Sequence, residues 1–200
     1  VKLTREERTM NAGVIRVDAA ASMSKILGAA RRVFSLGDGS GTLNRIAKEA
    51  GVGIATLYRH FPNREALALA VYDEVFAAEV QPIFDEFEKT DAPRDVLLEL
   101  GERLLAVLDR ERGLVRSLAN LAEATRELMS RNTDANEQAV RRAQAVGTLR
   151  ADITPEDIPN LMTMIAAGFG SIPVGPHRRR YLSLLLDSLN PAQAHRLPAI

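Results

Sequence analysis

Thr56, Tyr58, Arg59 and His60 lie within one short stretch, GVGIATLYRHFPNREAL, which begins at Gly51. A hydroxyl, a phenol, a guanidinium and an imidazole on a helix of about two turns are donors suited to phosphate oxygens and base edges. Catalysis is the other use of such groups, and the sequence shows no constellation for it. The three histidines, His60, His177 and His195, are far apart, and no HExxH, GxSxG or paired-cysteine motif occurs. The run GDGSG lacks both the Lys-Ser/Thr and the preceding strand of a phosphate-binding loop, and it reads as a turn that ends a helix. Glu123 and Glu127, four residues apart on one helix, read as a solvated face. Cysteine is absent, which removes thiolate nucleophiles, Cys-ligated zinc and thiol redox switching and fits a cytoplasmic setting. No enzyme activity, cofactor or metal is expected.

The elements that would hold the four residues are helices. Leu43, Ile46 and Ala47 share one face of a helix over about 42–50, with Thr42 as its N-cap. Gly51 permits a tight turn, and a second short helix covers about 54–60. Pro62 cannot continue it, and Asn63 caps the next helix, which carries Leu67, Ala70, Val71 and Val75 to near Pro82. Two helices joined by a turn of three or four residues, the second with its polar side outward, make a helix-turn-helix. Ile46, Ala47, Val52 and Leu57 would form its inner seam.

Charge is distributed in the same sense. Overall the chain is neutral, but residues 1–64 carry 11 basic against 5 acidic residues, net +6, and the remaining 136 carry 15 against 21, net −6. A basic head on an acidic body is expected when one end meets a polyanion, although charges clustered on a solvated face read the same way. No apolar segment follows the charges at residues 1–13 as in a signal peptide, and no apolar run reaches the roughly 20 residues of a membrane span, so no membrane partner is expected.

The rest of the chain is helical in pattern, and no segment alternates convincingly as a strand. Helices are expected over about 20–36, 93–110, 114–119, 123–150, from 155, and over 176–189. The fold class is all-α. The expected organisation is a flexible N-terminal arm (1–17), a helix-turn-helix domain (18–64), a helical effector-binding and dimerisation domain (65–190) and a C-terminal tail (191–200).

The run ILGAARRVFSLGDGSGTLNRIAKEAGVGIATLYRHFPNREALALAVYDEV resembles the N-terminal DNA-binding domain of the TetR family of bacterial transcriptional repressors, most specifically in IAKEAGVGIATLYRHFPNREAL. The match covers about 50 of the 200 residues. The resemblance implies a homodimer on a palindromic double-stranded DNA operator, with a body that binds a small effector. It implies that the third helix enters the major groove, and that Thr42, Thr56, Tyr58 and His60 occupy phosphate-contacting positions. Arg64 stands where the family commonly has Lys. Gly53, Ile54 and Ala55 fall in the region that varies with operator sequence. Gly53 replaces a frequent Ser or Thr cap and Ile54 a frequent polar residue, so base readout is expected to lean on Arg45, Ala55 and Arg59, with Ile54 suited at most to a thymine methyl.

Several of these residues also have a structural reading. Tyr58 can serve as a half-buried packing residue, and His60 as a cap on the helix C-terminus. Arg31 and Arg32 read as solvated helix charges. In the body, Met162, Ile165, Ala166 and Phe169 with Leu182, Leu185, Leu186 and Leu189 are the candidates for a dimer seam formed by the last two helices. Leu104, Leu118, Leu121, Met129, Met162 and Phe169 are the candidates for lining an effector pocket, with Phe84 and Phe87 beside them, although each also reads as core. Sparse aromatic content favours a neutral or acidic apolar effector over a stacked cation. The basic cluster at His177 to Arg180 reads as surface charge or pairing across a dimer, with anion binding as the alternative. The rival functions are an architectural DNA-binding protein without an effector, and a helical carrier or enzyme whose head only resembles a DNA reader.

Overall fold

A computed structural model describes residues 5–37, 41–90, 94–169, 172–173 and 175–190, with side chains from residue 20 onward except at 88, 132, 135 and 136. Among the described residues all regular structure is helical. In chain order the helices are α1 (Arg5–Ser35), α2 (Leu43–Ala50), α3 (Ile54–His60), α4 (Arg64–Val75), α5 (Gln81–Glu88), α6 (Arg94–Arg110), α7 (Arg112–Val115), α8 (Leu121–Met129), α9 (Thr133–Ala145), α10 (Asp157–Phe169) and α11 (Pro176–Leu189). The expected tail, 191–200, and the glycine-rich stretch at 38–40 lie outside the described residues.

Three boundaries differ from expectation. The backbone of α1 is helical from Arg5, within the segment expected as an arm. A sequence without an apolar stripe can still extend a helix whose later turns are anchored by packing, because propagation costs far less than nucleation. The helix begun at Arg64 passes Pro82 through a π-turn over Phe76–Val80, in which the amide of Gln81 reaches back five residues to Phe76 O. The wider turn brings in Pro82, which has no amide to donate, and so α5 continues the path of α4. The helix expected over 123–150 is two helices split by a 3₁₀ turn at Ser130–Asn132. Ser130 Oγ donates to Glu127 O (2.7 Å) and Thr133 Oγ1 to Ser130 O (2.9 Å), so short polar side chains compete with the regular backbone ladder there.

One apolar core runs from Ile26, Ala30 and Phe34 of α1, through Ile46, Leu57 and Val71, to Leu114, Leu128 and Met162. The head and the start of the body are therefore packed through a common interior. A smaller cluster joins Leu98 and Leu105 of α6 to Leu182 of α11. No described helix is long and apolar enough to cross a membrane.

Candidate nucleic-acid interface and body cavity

The short helix is held by its neighbours at both ends and along its inner face. Thr42 is extended, and its Oγ1 accepts from Arg45 N at 3.2 Å, starting α2. Gly51 ends α2 at φ 67°, in the left-handed region, and the amide of Val52 returns to Ala47 O at 3.0 Å. Gly53 starts α3 without a side-chain cap. Asn63 starts α4 with its Oδ1 accepting from Ala66 N at 2.8 Å. Ile46, Ala47 and Leu57 are buried and Val52 packs against them, which is the expected seam. With Leu57 fixed inward, helical geometry turns Ile54, Ala55, Tyr58 and Arg59 outward, and all four are exposed. Tyr58 is 52% exposed, so the packing reading does not hold in this conformation.

The remaining candidates are less open. Thr56 and His60 are half-buried. Arg59 is turned along its own helix, with its guanidinium on Thr56 Oγ1 (3.3 Å) and Ala55 O (3.5 Å). Arg45 is half-buried and Thr42 exposed. Arg64, expected at a phosphate position, is engaged within the chain: its Nε donates to Gly41 O at 2.8 Å, its second nitrogen to Ser117 Oγ at 3.1 Å, and the group lies 4.8 Å from the Phe34 ring. In this conformation it ties α4 to the turn before α2 and to the body.

A cavity of about 220 Å³ opens within the body, between α5, α6, α9, α10, α11 and the loop after α9. Leu104, Met129 and Met162 line it, as do Phe84 and Phe87. Leu121 and Phe169 face a separate cavity of about 280 Å³ beside Asp109, Arg112 and Arg116, and Leu118 is buried in the main core. The lining also includes residues that the sequence does not single out: Ala139, Val140 and Ala143 of α9, and Thr148, Leu149 and Pro155 of the loop. No periodicity could mark these, because alanine and a loop leucine look alike in a core and in a cavity wall.

The same head and body are found in known proteins. Residues 26–71 match the sequence profile of bacterial regulatory proteins of the TetR family. Residues 92–191, half the chain, match the C-terminal domain of SbtR-like transcriptional regulators. A TetR transcriptional regulator from Streptomyces coelicolor is 30% identical, with 86% of this chain and 99% of that chain aligned and a TM-score of 0.52. The chain belongs to the TetR family. The fold also resembles that of a TetR-family regulator from Marinobacter aquaeolei (20% identity, 86% and 96% coverage, TM-score 0.56) and Salmonella enterica GusR (23%, 84% and 95%, TM-score 0.51). No curated protein matches.

In this TetR-family transcriptional regulator, the head is joined to the body by a polar seam that its sequence did not reveal. Arg31 of α1, read from sequence as solvated, donates to the buried Glu111 through Nε (3.1 Å) and a terminal nitrogen (2.6 Å), and also pairs with Glu79. Arg110 pairs with Glu79 as well. Glu111 is 2% exposed, and its Oε2 has no hydrogen-bond partner among the described residues. Arg32 pairs with Glu49 at 2.8 Å across α1 and α2. Further along α4, the Tyr72 hydroxyl lies 2.7 Å from Thr125 Oγ1 of α8. Thr125 spends its only proton on Leu121 O (2.8 Å), so Tyr72 is the donor. Burial raises the Tyr72 phenol above its ordinary value despite that bond, which keeps it protonated. Asp73 accepts a two-pronged contact from Arg131 at 2.7 and 2.9 Å.

Two members of the basic cluster of α11, Arg178 and Arg179, pair within the protomer. Arg178 is buried, contacts Asp109 and donates its Nε to Ile172 O at 2.6 Å, and Arg179 pairs with Glu102. Burial alone would raise the Asp109 carboxyl, but the hydrogen bonds and charges of Arg178 and Arg112 outweigh it and hold the group below its ordinary value. A group depressed in the folded state binds fewer protons there than in the unfolded chain. Its contribution is thus complete above the unfolded value of about 3.9 and fades as pH falls through the folded value. Urea unfolding should find Asp109→Asn less stable than wild type at pH 7, with the gap narrowing below about pH 4. A gap independent of pH would dismiss this account.

Of the residues expected in a dimer seam, two are taken up inside the protomer, and Ile165, Ala166, Phe169, Leu185, Leu186 and Leu189 are half-buried. Met162 and Leu182, expected in a dimer seam, are almost wholly buried inside the protomer, and Ile165, Leu185, Leu186 and Leu189 turn to the cavity. The apolar side chains these helices leave exposed are Met164, at 65%, Leu184, at 54%, and Tyr181, at 46%. Packing of α11 on α6, and of α10 on α8 and α6, decides which stripe remains outside.

Proposed function

We propose that this TetR-family regulator is a repressor that binds a palindromic operator as a homodimer, with α3 of each subunit in a major groove, and that a small apolar effector in the body cavity releases it. The observation that carries the reading is the presentation of α3. Its apolar side is locked by Leu57 while Tyr58, Arg59, Ala55 and Ile54 face solvent, leaving polar donors where a duplex would meet them. Thr42, Arg45, Thr56 and His60 flank that face and are assigned to the same interface. Exposed Met164, Tyr181 and Leu184 favour pairing of two subunits through α10 and α11. Pairing is needed because two probes must stand about 34–36 Å apart, or a multiple of it, to enter grooves of one duplex.

The cavity supports the effector. An apolar pocket near 220 Å³ favours a molecule that fills it, because the hydrocarbon surface buried there gains about 25 cal/mol per Å². Met129 lies on the cavity wall and on α8, and α8 holds α4 through Thr125 and Tyr72. An effector that shifts α8 therefore acts on the helix that carries the probe. It moves the population off DNA only in so far as it binds the DNA-incompetent spacing more tightly.

Tyr58→Ala is expected to weaken operator and random duplex alike and to lower the salt dependence of binding by about one phosphate contact, because backbone contacts position the protein without reading sequence. Gel-shift titration at several salt concentrations measures this, and unchanged affinity would remove Tyr58 from the interface. Footprinting on a genomic fragment library tests the whole reading; absence of any protected site at low salt would end it.

A further inference from the structure

The wall of the body cavity narrows the chemistry of the effector. Resting on the effector reading above, we propose that this effector is an uncharged, hydrocarbon-rich molecule of about nine non-hydrogen atoms, scaling from benzene in an apolar cavity of about 150 Å³. Every residue that lines the 220 Å³ space is buried or half-buried, and the space is partly open to solvent, so its inner wall and not its mouth sets the chemistry of what enters fully. Among the described residues that line it, Thr148 alone has a polar side chain, and its hydroxyl donates to Ala143 O at 3.0 Å. Gln144, at the root of the loop that brings in Thr148, Leu149 and Pro155, spends its amide on Arg150 O (3.1 Å) and Ile153 O (2.9 Å). The loop is also pinned by the amide of Arg150 on Leu189 O at 2.9 Å.

A carboxylate, phosphate or ammonium group carried fully into this space would lose its water and find no counter-charge, and the Thr148 hydroxyl, its proton already donated to Ala143 O, offers only an accepting oxygen. The cost of burying an unpaired ion exceeds what a chain of this length recovers from apolar contact. Charged side chains do border the other cavity, at Asp109, Arg112 and Arg116, so the molecule has a place where an ion finds partners, and the effector cavity is not it. Selection in the apolar space then rests on volume and shape. A ligand carbonyl is tolerated only at the cost of an unmade hydrogen bond, whereas a hydroxyl has the Thr148 oxygen as its one side-chain acceptor in the lining.

The test uses the full chain and four compounds of similar size: octan-1-ol, naphthalene, octanoate and octylammonium. Calorimetric titration at pH 7.5 should give binding of octan-1-ol and naphthalene, and at least tenfold weaker binding of the two ions. Ala143→Leu and, separately, Ala139→Leu place extra carbons inside the cavity and should abolish binding of the neutral pair, with retained DNA binding showing that the variant is folded. Octanoate or octylammonium binding as tightly as octan-1-ol, and lost in the same filled variants, would overturn the inference, as would failure of both neutral compounds to bind. Neutral compounds that bind, are blocked by the filled variants and yet leave the DNA complex intact would uphold the chemistry of the site while removing the release mechanism.

Discussion

Gly113→Ala is expected to destabilise the protein by about 3 kcal/mol, the upper part of the range for an overpacked interior. Gly113 is buried in α7 against the end of α1, and a Cβ there would fall 1.9 Å from Phe34 O and 3.0 Å from Gly37 Cα and N. These are backbone atoms, so no rotamer relieves the clash and the two helices must part. Parting them strains the contact of Arg31 with Glu111 and the packing of Phe34, which is 2% exposed. For a chain of this size the expected fall in Tm is about 6–12 °C. Gly28→Ala is the control. Its Cβ would meet only Arg32 Nη1, at 3.7 Å, and alanine inside a helix gains about 0.5–1 kcal/mol over glycine. A Gly113→Ala protein that melts with wild type would mean that α1 and α7 do not touch in solution. A stable variant that has lost DNA affinity would instead identify this seam as the path by which body and head communicate.

Leu184→Asp should have the larger effect on DNA binding. Leu184 is exposed on α11 between the directions of Tyr181 and Ser188, one turn apart on either side, and Met164 is exposed on α10. A carboxylate set at the centre of an apolar contact between two copies would meet its own symmetry mate and lose its water, two costs that add. The variant should sediment as a monomer with unchanged helical content, because the side chain packs little within its own subunit. Operator affinity should then fall by about 10²- to 10⁴-fold, the loss expected when two linked probes become one. A dimer that survives Leu184→Asp and the parallel change Met164→Lys would exclude this face.

The probe helix was legible residue by residue, because its signals are local. A threonine cap, a left-handed glycine and an asparagine cap each act within about four positions, and α3 and α11 occupy the ranges the sequence indicates. The all-α class and the place of the helix-turn-helix follow from the same short-range rules. By contrast, the fates of the arginines were not legible. Arg31, Arg64 and Arg178 have the composition of surface charge, yet each is drawn inward by a partner 23 to 80 residues away. A guanidinium on a long stem reaches water or an acceptor from another segment equally well, and only the arrival of that acceptor, a carboxylate for Arg31 and Arg178 and the Gly41 carbonyl for Arg64, decides between them.

The same distinction governs the body. Helical spacing marked Met162 and Ile165 on α10, and Leu182 and Leu185 on α11, as an apolar stripe on each helix, and that remains true of them. Whether such a stripe meets its own subunit, a second copy or a cavity depends on which other helices stand opposite it, and here α6 faces α11 while α8 and α6 face α10. The amino-acid order thus determined the elements, their caps and the outward polarity of the reading helix, since those depend on neighbours along the chain. The tertiary arrangement alone decided the ionic seam between head and body, the apolar cavity and the exposed face of the last two helices, since burial and pairing depend on segments that sequence distance keeps apart.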